Sequence, residues 1–288
     1  MTSVQAQPAL KSVLTAGEPY PDALAANRAR GEIDLTVGAD GIGTRRVAVR
    51  EAGSLRIRFP NAPPEMLEAV LINTGGGMTG GDAFSIRISL GAGAQLLAGT
   101  AAAEKIYKST GANTAVKLAI DAADGSRCFW FPQETILFDL ARLSRRIDVN
   151  MAAGATLMMA EAIVFGRSAM GEAVHEGHFT DHWRIRRGDR LLFAENVRLS
   201  GMIASKLARP AIAAGGVAVA TVLAVPGDEE MVTAARARDE LFLGEVGISA
   251  WNGIAVARLC ASDGAALRHD LALLLSAFGA PLPRLWLQ

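Results

Sequence analysis

From about residue 32 to residue 225, apolar side chains recur at every second position in short runs separated by glycine-bearing turns. This is the pattern of extended strands that bury one face. Strands are predicted near 32–37, 45–50, 54–59, 68–73, 83–90, 94–103, 114–120, 127–131, 135–138, 145–151, 155–165, 173–187, 190–199 and 217–225. Turn signals lie between them at 39–43, 91–93, 124–125, 153–154 and 187–189, the last reading as a hairpin. Beyond 225 the period lengthens. Asp228 is placed to cap a helix that begins with Glu229 and Glu230 and gathers Met231, Ala234, Ala235, Leu241 and Phe242 on one face. A second helix is predicted to start after Ser262 or Asp263, with Leu267, Leu271, Leu274, Leu275 and Phe278 as its stripe and Gly279 and Pro281 as its stop. One more strand is predicted at 253–259, between the helices. No linker-like shift in composition and no repeat of fixed period divides the chain, so 1–288 reads as one mainly β domain.

Composition narrows the partners. With 288 residues, half of them hydrophobic, the chain can bury a large core. Its 29 basic and 29 acidic residues cancel, leaving no global field to hold nucleic acid or an anionic membrane. Cys128 and Cys260 are far apart and show no metal-ligand spacing, which fits a reducing, cytoplasmic setting. The first 25 residues carry no secretory-signal pattern and read as a flexible lead-in. The uncharged stretch from Ala211 to Val225 is too short to span a bilayer and is interrupted by Gly215 and Gly216.

Within the segment from Asn73 to Asp82, Gly75, Gly77 and Gly80 match the spacing of a dinucleotide fingerprint. That fingerprint requires a helix after the glycines, and here an alternating run follows. The plainer reading is a glycine turn between strands that admits another backbone at close range. His175, His178 and His182 do not form the metalloprotease HExxH pattern; on a strand only His178 and His182 share a face, as a surface group or a soft metal contact. No nucleophile elbow is present, so nothing points to covalent catalysis.

Strand parity is more informative. Asp82 has the parity of Phe84, Ile86, Ile88 and Leu90, Glu161 that of Leu157, Met159, Ile163 and Phe165, and Glu195 that of Leu191, Phe193, Val197 and Leu199. Glu134 has the parity of Trp130, Pro132, Ile136 and Phe138, with Pro132 positioned to break the register. A carboxylate in a core costs several kcal/mol unless protonated, paired or hydrated. Single cases are explained by internal pairs with arginine or backbone amides. Several together point to a hydrated path whose oxygen ligands hold a divalent cation loosely.

Four segments, Asn73-Thr-Gly-Gly-Gly-Met-Thr-Gly-Gly-Asp82, Ala103-Glu-Lys-Ile-Tyr-Lys-Ser-Thr-Gly111, Trp130-Phe-Pro-Gln-Glu-Thr-Ile-Leu-Phe138 and Phe165-Gly-Arg-Ser-Ala-Met-Gly-Glu172, resemble motifs of the urease accessory protein UreD (UreH) family. The terminal Pro283-Arg-Leu-Trp286 resembles that family's ending. The resemblance implies a mainly β, two-layered, solenoid-like stack of many short strands with two α-helices near the C-terminus. It implies a non-catalytic role in urease maturation, acting with UreF and the GTPase UreG on urease apoprotein. A dimer of the accessory complex is compatible with it. Nickel would be carried transiently through an internal tunnel, with no stably bound cofactor. On this view Asp82, Glu161 and Glu195 are the first transit candidates, followed by Glu104, Glu134 and Glu172. The alternative is an interaction scaffold that holds urease open without carrying metal. A third reading, an enzyme with a nucleotide in the glycine loop, is the one that a bound nucleotide would establish.

Overall fold

The computed structural model describes residues 28–61, 65–167 and 170–286; the predicted lead-in at 1–25 lies outside them. Among the described residues, seventeen strands form two stacked sheets. The first hairpin, β1 (Arg30–Ala39) and β2 (Thr44–Gly53), belongs to one sheet, and β3 (Leu55–Arg58) and β4 (Leu67–Asn73) begin the other. Thereafter the chain passes back and forth between the layers. β5 (Ala83–Leu90), β8 (Thr114–Ala122), β11 (Arg142–Met151) and β13 (Glu176–Arg187) pair in parallel in the first sheet. β6 (Gln95–Thr100), β9 (Arg127–Trp130) and β12 (Thr156–Phe165) follow β4 in parallel in the second, while short β7 (Glu104–Ile106) and β10 (Thr135–Leu137) join beside β12. The expected solenoid-like stack is therefore the architecture of the chain.

The glycine turns at 91–93, 124–125 and 153–154 are corners that carry the chain from one sheet to the other. They stack: Gly93 N–H donates to Asp124 O at 3.0 Å, and Gly154 N–H to Asp124 Oδ1 at 2.8 Å. The turn at 187–189 is the predicted hairpin, leading from β13 into antiparallel β14 (Arg190–Met202), with Gly188 at a φ of +54°.

The layers close on an apolar core that includes Leu35, Ile88, Ile120, Ile147, Leu157 and Ile185. Strand β12 is buried on both faces. Its other face, with Met158, Ala160 and Val164, meets a second core shared with the C-terminal helices. β15 (Ala218–Val225), β16 (Glu245–Trp251) and β17 (Ile254–Ala261) extend the second sheet antiparallel. A five-residue helix, α1 (Ile203–Leu207), was not expected from the sequence. Helix α2 (Glu229–Arg236) starts where predicted, with the Asp228 carboxylate accepting from Met231 N. It ends earlier than expected: Val232 and Ala235 are buried, Ala234 is exposed, and Leu241 lies in a separate, exposed turn. Helix α3 (Gly264–Ala277) is capped by Asp263 and buries the expected leucine stripe. Among the described residues no helix is long and apolar enough to cross a membrane.

Candidate functional site

Glycine dictates the first local structure. The chain at 75–81 crosses β7 so closely that Met78 N–H donates to Lys105 O and Tyr107 N–H to Met78 O, both at 2.8 Å. A Cβ on Gly77 would strike the Tyr107 ring, and Gly77 has a φ of +151°. Strand β5 follows, with no helix after the glycines, so the expectation of a close-packed turn holds. Asp82 closes that turn. Its carboxylate accepts from Ala29 N at 2.9 Å and Thr79 N at 2.7 Å, and it lines neither interior cavity described below.

At the centre of the sandwich, β11 and β13 place Arg145 opposite Asp181, and β12 brings Glu161 from the facing sheet. All three side chains are buried. Arg145 donates through Nε to Asp181 Oδ1 at 3.0 Å, through Nη2 to Asp181 Oδ2 at 2.5 Å, and through Nη1 to Glu161 Oε2. The indole N–H of Trp130 donates to the remaining Glu161 oxygen at 2.7 Å. Burial pushes the Glu161 carboxyl up, reinforced by the Asp181 charge and opposed by Arg145 and the Trp130 hydrogen bond. Burial works against the Arg145 charge, but the two carboxylates outweigh it and raise its pKa.

Two cavities meet at this triad, each with Arg145 and Glu161 in its wall. The smaller, about 70 Å³, is mostly apolar and ends near Glu104, Gln133 and Thr135. The larger, about 500 Å³, runs past Asp181 and Trp183 to Glu245, Arg258 and Cys260, beside the β16–β17 edge. Glu104 accepts from Asn73 Nδ2 at 3.1 Å, and burial raises its pKa against that hydrogen bond. Glu195 has the expected inward parity and sits at the far edge, where an ion pair with Arg258 ties β14 to β17. Replacing such a triad by packed apolar residues is often neutral or stabilising. Stability alone therefore gives no reason for three charged groups here.

Two expectations need correction. Glu134 does not point into the sandwich. Residues 131–134 form no ladder, the parity inverts across them, and Trp130 and Ile136 end on opposite faces of the sheet. Glu134 meets Arg268 of α3 on the outer face, with contacts of 2.7 and 2.6 Å. Glu172 lies in the turn after β12, paired with Arg167 at 2.5 Å, and lines neither interior cavity. Arg167 in turn lies over the Phe138 ring, 4.3 Å from its centroid. His178 and His182 share the outer face of the first sheet, opposite Arg142 and Arg146 in register. Burial, then Arg142 and Arg198, lowers the His178 pKa. Among the described residues, no three His, Cys, Asp or Glu side chains converge as a metal site.

Sequence reading missed Arg145 and Asp181. The signal was present: Arg145 alternates with Leu143, Ile147 and Val149, and Asp181 with Phe179, Trp183 and Ile185.

A family model described as UreD urease accessory protein matches residues 29–287. The urease accessory protein UreD of Rhodopseudomonas palustris strain BisA53 is 54% identical over 264 residues, covering 91% of this chain and 92% of that one. That of Bradyrhizobium diazoefficiens strain USDA 110 is 52% identical over 263 residues, covering 91% and 95%. Urease accessory protein UreD 3 of Bradyrhizobium sp. strain BTAi1 is 51% identical over 267 residues, covering 92% and 96%. With a buried carboxylate of the expected parity at the centre of a two-layered β stack, and similarity over almost the whole described chain, this protein belongs to the urease accessory protein UreD family.

Proposed function

We propose that this chain is a non-catalytic, cytoplasmic urease maturation factor that passes nickel through its interior toward urease apoprotein, in company with UreF and UreG. The observation that carries this reading is the pair of cavities sharing a wall of Arg145 and Glu161. Oxygen ligands suit a cation that must be released, since too few of them surround the path to hold it tightly. Glu161 and Glu104 are the interior ligands in this reading, and Glu195 stands at the edge near the larger cavity. Asp82, Glu134 and Glu172 have a structural part here, because their side chains line neither interior cavity.

The test is nickel-dependent urease activation in a host lacking only its own UreD gene, with this chain and its cognate partners supplied together. Restored activity supports maturation. A soluble chain that co-purifies with UreF and urease yet restores nothing supports a scaffold without metal delivery, and absence of both overturns the reading.

A further inference from the structure

Arg145 holds the position between two carboxylates that come from opposite sheets, and it does so at the partition between the two cavities. The triad has a formal charge of minus one, so the two acids attract more positive charge than the guanidinium supplies. Trp183 gives independent information about the larger cavity. It is 1% exposed, it lines that cavity beside Asp181, and its indole N–H has no partner among the described residues. That cavity, of about 500 Å³, has Glu161 and Asp181 in its wall together with Glu245 and Arg258, both of which are exposed. Solvent therefore reaches the carboxylates from that side.

We infer that Arg145 is a displaceable plug: a divalent cation takes its place between Glu161 and Asp181, and water from the larger cavity completes the coordination. The inference rests on the nickel-passage reading above and adds a site and a gate to it. A dication between two carboxylates is neutral, whereas the guanidinium leaves one formal negative charge uncompensated. The larger cavity has room for the displaced side chain and carries Glu245 in its wall. Only two protein carboxylates would hold the ion, which favours release and the return of Arg145.

The test is titration of the purified full-length chain with nickel sulfate, followed by tryptophan fluorescence and thermal unfolding. Trp130, bonded to Glu161, reports on the site directly. Arg145→Met is expected to bind one nickel ion per chain saturably, with quenching and a higher Tm. Wild type is expected to need far more nickel, and Arg145→Met combined with Asp181→Asn is expected to lose the response. A folded Arg145→Met that titrates like wild type overturns the inference, as does binding that survives Asp181→Asn. If Arg145→Met folds only when nickel is present, the inference stands. If it fails to fold with or without nickel while the double variant folds, it falls. None of these readouts involves urease, so failure of the plug and failure of the delivery reading are separable: the latter is read from activation by Glu161→Gln.

Discussion

Asp82 and Glu161 are each 5% exposed, and both have the parity of an apolar strand face, yet their partners differ in kind. At the glycine turn, the Asp82 oxygens accept from two backbone amides that the turn geometry would otherwise leave unsatisfied. At the centre, Glu161 meets a side-chain guanidinium and an indole, with open volume on either side of the partition. A carboxylate bound by backbone amides is fixed for as long as the fold lasts. One bound by an arginine side chain can exchange its partner without unfolding anything. Burial identifies where charge is costly; the identity of the partner separates a carboxylate that is fixed from one that can exchange.

The largest expected effect comes from removing the side-chain partner. Arg145→Met leaves two buried carboxylates unpaired, and without nickel it should lose about 3–5 kcal/mol in urea denaturation. A loss within experimental error would show that the triad is already hydrated and open. Asp82→Ala strips the acceptor from two backbone amides and should cost about 1–3 kcal/mol. Nickel delivered per folded chain should stay unchanged, and a selective delivery defect would blur the contrast. Glu195→Gln breaks an ion pair whose arginine is half exposed, so a stability loss of under about 1 kcal/mol is expected.

The smallest effect is one of pH. The Glu104 pKa is raised, so the folded state binds a proton that the unfolded state has released, and stability falls as pH rises from the ordinary glutamate range through the raised value. Melting curves across that interval should lose this component of their slope in Glu104→Gln. An unchanged slope would assign Glu104 an ordinary, solvated environment.

Much of this was legible in the chain itself. Alternation located Glu161, and Asp228 and Asp263 marked their helix starts because capping is a local event. The glycine corners were visible as turns, but a turn joining two sheets has the same local chemistry as one closing a hairpin, so alternation between layers was not readable. Arg145 shares the parity of Leu143, Ile147 and Val149, and Arg146 that of Ser144, Asp148 and Asn150, so parity sets one inward and the other outward; it does not say which carboxylates the inward arginine meets. Arg146 lies outside, paired with Asp148. Glu134 misled because parity holds only while the strand is regular, and the ladder is interrupted at 131–134. β16 escaped because Gly247 and Ser249, on its uncovered face, give the alternation little contrast.

The most direct test of the central claim compares two charge-neutral substitutions in the complete activation system, Glu161→Gln and Asp82→Asn, by measuring nickel bound per urease active site at matched levels of assembled complex. The account predicts a marked fall in nickel for Glu161→Gln, with complex formation intact, and wild-type loading for Asp82→Asn. Wild-type loading in both, or an equal loss in both, would contradict it.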